Sequence, residues 1–102
     1  MLEIKRGDLM PPLTGIITDN GDPVNGTTAV LARVIAWRDG ALLFRRPVTI
    51  GADGTWTMPW VEGDTDQVGD LLIEVEVTWP GTRPQTFPGD GYETVRVHQD
   101  LG

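Results

Sequence analysis

Cysteine and serine are absent from this 102-residue chain, and histidine, tyrosine and lysine occur once each. Without thiols there is no disulfide framework, no thiolate zinc site, no Fe–S cluster and no cysteine nucleophile, and the redox compartment stays open. Without serine there is no serine hydrolase triad, and a single His98 leaves little room for histidine-based catalysis or metal ligation. No glycine-rich phosphate cradle precedes a helical pattern. No apolar run approaches the roughly 18 residues of a membrane span, and no signal peptide is visible, so the mature protein is expected to be the whole chain. These absences predict a protein that is not an enzyme and carries no cofactor.

Cations are scarce as well, with 8 Lys and Arg against 15 Asp and Glu for a net charge of -7. That field repels phosphate backbones, and only Lys5-Arg6 and Arg45-Arg46 stand side by side, so neither nucleic acid nor membrane is expected as a partner. A chain of this length has room for one compact core, and a single domain over residues 1–102 is predicted. Its 13 glycines and 8 prolines follow no repeat and instead punctuate short apolar runs.

Those runs read as strands. Leu71, Ile73, Val75, Val77 and Trp79 alternate with Leu72, Glu74, Glu76 and Thr78, the pattern of a half-buried strand. Val95 and Val97 alternate with Thr94, Arg96 and His98, which puts the histidine on the wet face. Residues 28–37, rich in β-branched and aromatic side chains, are followed by Asp39-Gly40, predicting a hairpin with Ala41 to Arg45. Shorter extended segments are expected at 2–6, 13–18, 47–50 and 55–60, with Val61 to Asp70 as a polar inter-sheet loop or a single helical turn. Asn20-Gly21, Asp53-Gly54, Pro80-Gly81 and Asp90-Gly91 supply further turns. The expected fold is all-β, an immunoglobulin-like two-sheet β-sandwich of seven to eight short strands. Leu2 to Arg6 and the carboxy-terminal strand would be its edges, open to a neighbouring chain.

Four constellations bear on function. Asp64, Asp66 and Asp70, with Glu62 nearby, offer oxygen ligands to calcium, but their spacing misses the EF-hand pattern and such loops are usually solvated turns. Acidic pairs for glycoside hydrolysis have no cleft that the sequence reveals. Trp56, Met58 and Trp60 share one strand face, which reads as core together with Trp79 and Trp37. Trp60, beside Pro59 and the acidic loop, is the expected exposed exception, and a sugar-stacking pair of Trp56 and Trp60 would make the chain a carbohydrate-binding module. Arg6-Gly7-Asp8 spells an integrin-binding tripeptide, more simply read as the end of the first strand before Pro11-Pro12. No catalytic, cofactor-binding or metal-binding residue is assigned.

Taken in order, Lys5-Arg6-Gly7-Asp8, Asp19 to Val24, Val30-Leu31-Ala32-Arg33, Asp53-Gly54-Thr55-Trp56, Gly63-Asp64-Thr65-Asp66, Glu74-Val75-Glu76-Val77 and Asp90-Gly91-Tyr92 make a pattern over nearly the whole chain. It resembles small β-sandwich virion proteins of tailed bacteriophages, similar to the amino-terminal domain of baseplate upper proteins and to tail or fibre-associated proteins of actinobacteriophages. The sequence departs from them at Asn25-Gly26-Thr27-Thr28, a shorter polar link, and lacks the carboxy-terminal receptor-binding extension of baseplate upper proteins. The resemblance implies a virion structural protein of the tail, baseplate or tail fibre, made in the host cytoplasm and present in many copies in a symmetric assembly. It would contact other virion proteins through edge strands and loops. The alternative it leaves open is a capsid decoration protein of the phage head.

Overall fold

The computed structural model describes residues 2–81, 83–88 and 93–99. Among them there is no helix, and ten strands are formed: β1 (Leu2–Lys5), β2 (Leu13–Ile16), β3 (Thr18–Asp19), β4 (Asp22–Pro23), β5 (Leu31–Arg38), β6 (Ala41–Pro47), β7 (Thr55–Met58), β8 (Gly69–Thr78), β9 (Gln85–Phe87) and β10 (Glu93–His98). The large sheet has the order β1-β10-β8-β5-β6, with β9 also paired to β8. Two small ladders, β2-β7 and β3-β4, complete the fold.

The strict alternation of residues 71–77 produces β8, the longest strand, whose Leu71, Ile73, Val75 and Val77 are buried. The register aligns β5 with it so that Val34 meets Val75 and Ala36 meets Ile73 on the same inner face. Val95 and Val97 continue that face on β10, while His98 stays exposed, as the alternation requires. Leu13, Trp56 and Met58 of the β2-β7 pair are buried in the same apolar cluster. The fold is therefore all-β, with a small ladder packed on the inner face of a large sheet, consistent with a β-sandwich.

The hairpin expected at Asp39-Gly40 joins β5 to β6. Both turn residues have positive φ, 51° and 78°, the combination a type I′ turn needs and that Asp-Gly adopts at low cost. Asn20-Gly21 does the same between β3 and β4.

Several expectations change. There are ten described strands rather than seven or eight, partly because the 13–18 segment changes partners midway. Ile17 donates its amide to the Gly54 carbonyl and accepts the Val24 amide, so the chain leaves β7 at this corner and continues as the β3-β4 hairpin. Residues 48–50 form no strand: Pro47 ends β6, and the Val48 amide bonds back to Ala32. The 55–60 segment stops at Met58, and Gly69 and Asp70, expected in the loop, already belong to β8. The carboxy-terminal strand is not an edge. β1 pairs with β10 in parallel, Leu2 opposite Val95 to Lys5 opposite His98, and itself becomes the edge. The Asp90-Gly91 turn and Tyr92 lie outside the described residues.

Leu71 is fully buried where β8 meets β10. Leu71→Ala is expected to destabilise the fold by about 2–5 kcal/mol, from lost transfer energy plus the cavity left behind. Urea unfolding followed by tryptophan fluorescence measures it.

Candidate docking surfaces

The outer face of the large sheet is built by the residues that alternate with the core. Register places Leu42, Trp37 and Leu72 in one row across β6, β5 and β8, and Arg45, Ile35 and Glu74 in the next. Arg33 and Glu76 face each other across β5 and β8 and form an ion pair. The Trp37 indole donates to the Glu74 carboxylate at 3.0 Å, and Arg96 pairs with Asp70 across β10 and β8 at 2.9 Å. Beneath this lattice Ile35 is only 4% exposed although it points away from the main core. The apolar row is less covered: Leu42 and Leu43 are each 42% exposed beside a bulge between Ala36 and Trp37. Two ion pairs flanking exposed Leu42 and Leu43 and half-buried Trp37 give this face the mix of apolar and polar groups found at protein–protein contacts.

The loop after β7 is organised by one carboxylate. Asp64 accepts both guanidinium nitrogens of Arg46, the second at 2.7 Å, and the Val61 amide at 2.7 Å. Arg46 also lies 4.0 Å above the Phe44 ring, a cation–π contact on the inner face of β6. The Asp64 side chain is 8% exposed. Burial pushes its pKa up, but the hydrogen bonds from Arg46 and Val61 and the charge of Arg46 outweigh burial and hold it below the ordinary carboxylate value. The neighbouring Thr65, fully buried, donates to the Asp8 carbonyl at 2.9 Å. The Gly7 amide returns to the Thr65 carbonyl. Arg6-Gly7-Asp8 is thus the turn that ends β1 and ties it to this loop.

The fold keeps the acidic residues apart. Asp64 is committed to Arg46 and Val61, Asp70 sits on β8 with Arg96, and no group of three or more His, Asp or Glu among the described residues is placed to hold a metal ion. Trp60 corrects the expectation of an exposed indole. It is 6% exposed, and its ring nitrogen donates to the Pro11 carbonyl at 3.0 Å. Trp56 is buried too, so the two tryptophans suggested for sugar stacking are both core residues. The partly exposed indoles are Trp37 and Trp79, the latter bonded to Gln85. Sequence alternation put Trp56, Met58 and Trp60 on one face and all three are buried, so the exception drawn for Trp60 from its neighbours Pro59 and the acidic loop is what fails.

A third feature is an open side of the fold. Between β2 and the wall made by β9 and β10 lies a cleft of about 260 Å³, floored by Trp56, Ile73, Val75, Phe87 and Val95. Past Thr18 and Phe87 it continues into a second cleft of about 410 Å³ between the β3-β4 turn and β9. No sequence pattern announces it, because it arises where two layers differ in width.

No family model, no curated protein and no solved structure matches the chain.

Asp64→Asn removes the charge that Arg46 and Val61 bind and is expected to cost about 1–3 kcal/mol. Because the folded pKa of Asp64 is depressed, its stabilising share is complete above the unfolded value near 4 and is lost as pH falls through the folded value. Thermal melts between pH 7 and pH 2 should show the wild type losing more of its stability below pH 4 than the variant does.

Proposed function

We propose that the chain is a non-enzymatic docking module, a structural protein of a tailed-bacteriophage virion that joins tail, baseplate or fibre proteins. In this reading the two layers form an immunoglobulin-like sandwich, since the chain crosses from the large sheet to β2, back to β5 and β6, over to β7 and back to β8. The observation that carries the docking role is the row of exposed Leu42 and half-buried Trp37 and Leu72, with exposed Leu43 at the bulge, flanked by the Arg33–Glu76 and Arg96–Asp70 ion pairs. A virion setting is supported by the order of turn and strand motifs along nearly the whole chain. Many copies in a symmetric assembly would let a small contact area per copy suffice.

Mass spectrometry of purified virions tests membership, and absence of the chain from them overturns the proposal. Leu43→Glu should change folding stability by no more than about 0.5 kcal/mol, because the side chain is already exposed. It should still lower incorporation into virions by an order of magnitude. Electron microscopy of the particles then separates tail from head: density at symmetric capsid sites, with none on the tail, assigns the chain to capsid decoration instead.

A further inference from the structure

The two layers are unequal, and the deficit falls on one side. β2 and β7 make a two-strand ladder against a sheet whose main path is five strands wide. Beyond β2 no described strand covers the inner faces of β9 and β10, and the cleft along this edge is the result. Residues 13–18 line the first cleft and Thr18 and Asp19 the second, so this segment forms one wall of both. Trp56 lies so close over Gly15 that a Cβ there would stand 2.6 Å from the indole. The absence of a side chain at Gly15 therefore lets the indole form the floor.

The edge of β2 is prepared for pairing. The Ile17 amide bonds Gly54 and the register is unbroken from Leu13 opposite Met58 to Ile16 opposite Thr55. Antiparallel alternation therefore turns the backbone N–H and C=O groups of Thr14 and Ile16 away from β7, into the groove. Among the described residues nothing on that side bonds them. The edges of the large sheet are protected: β6 carries Arg45, Arg46, Pro47 and a bulge, and β1 carries Glu3 and Lys5. At the start of β7 the Thr55 amide donates to the Asp53 carboxylate and the Thr55 carbonyl accepts the Gly51 amide. Leu13-Thr14-Gly15-Ile16 has no charge, no proline and no bulge, which are the devices that keep edge strands from pairing.

Charge narrows the choice of occupant. Glu93, opposite Ile73 and so on the inner face of β10, stands at the mouth of the first cleft, and Asp19 lines the second. Among the described residues neither is lined by Lys or Arg. Glu74 also lines the first cleft, but its carboxylate bonds Trp37 on the opposite face. A second copy of a chain with net charge -7 would meet repulsion here.

Resting on the docking role above, we infer that this groove receives an extended, lysine- or arginine-bearing segment of a partner protein, which adds beside β2 as a third strand of the small layer. Its backbone bonds Thr14 and Ile16, alternate apolar side chains fill the floor over Trp56 and Val95, and its cations pass Glu93 and Asp19.

The test uses the full chain, isotope-labelled, with a blocked nine-residue peptide of alternating Val and Lys as the probe and a Val/Glu peptide as the control. Hydrogen exchange at the Thr14 and Ile16 amides should slow at least tenfold with the Val/Lys peptide, with no change along β6 and none with the Val/Glu peptide. Ile16→Pro removes one outward N–H and leaves the bonds to β7 intact, so peptide affinity should fall at least tenfold. Glu93→Lys, on an exposed side chain, provides the same reading should the proline variant not fold. Protection that appears on β6 instead, or equally with the Val/Glu peptide, overturns the inference. So does protection that arises from self-association without peptide. Virions separate the two claims: Ile16→Pro and Glu93→Lys both incorporated at wild-type levels defeat the groove while docking stands, whereas a wild-type chain missing from virions defeats the docking role itself.

Discussion

Strand β8 has a hydrogen-bonded partner on both sides. β5 runs along one edge from Leu31 to Trp37, and β10 and then β9 run along the other, so nearly every backbone group of the ten-residue strand is paired. Its four buried side chains, Leu71, Ile73, Val75 and Val77, form the line against which the rest of the core collects. Because side chains alternate strictly, a one-residue slip would expose all four and bury Glu74 and Glu76. Register on β8 thus settles which face of β5, β9 and β10 is wet, and with it where Arg33, Trp37 and Arg96 find their partners. Cross-sheet pairing of Arg33 with Glu76 and Arg96 with Asp70 agrees with that register, and a one-residue slip would place apolar residues or glycine opposite both arginines.

The small layer depends on the large one in a different way. A two-strand ladder cannot stand alone in water, and β2 and β7 persist because Leu13, Trp56 and Met58 are shared with the β8 core. The loop beyond β7 is held by Asp64 on Arg46 of β6, and the start of the chain is held by Thr65 on Asp8. Those contacts secure the β7 side and the bottom of the molecule. The side beyond β2 has no such strap among the described residues, so the groove and the unpaired edge occur together, both consequences of a layer one strand too narrow.

The alternation in residues 71–77 and 95–98, the Asp39-Gly40 hairpin and the Asn20-Gly21 turn were legible because each depends on only a few neighbouring residues. Trp60 and β10 were not. The indole of Trp60 finds its acceptor on Pro11, 49 residues away, and nothing near Trp60 in the chain indicates that contact. β10 reads as a terminal strand and hence as an edge, but β1 reaches it from the other end of the chain in parallel. Nor did the acidic loop show its partners: Arg46 and Arg96, on different strands, claim Asp64 and Asp70.

By itself the sequence determined the all-β class, the positions of its principal turns and the inner face of its longest strands, since period-two alternation and positive-φ turn chemistry are local properties of the chain. Tertiary structure alone decided which edge remains open, which carboxylates are spent on arginines and which tryptophans meet water. Those outcomes depend on the relative width of two layers and on contacts between residues far apart in the chain, and no local pattern encodes either.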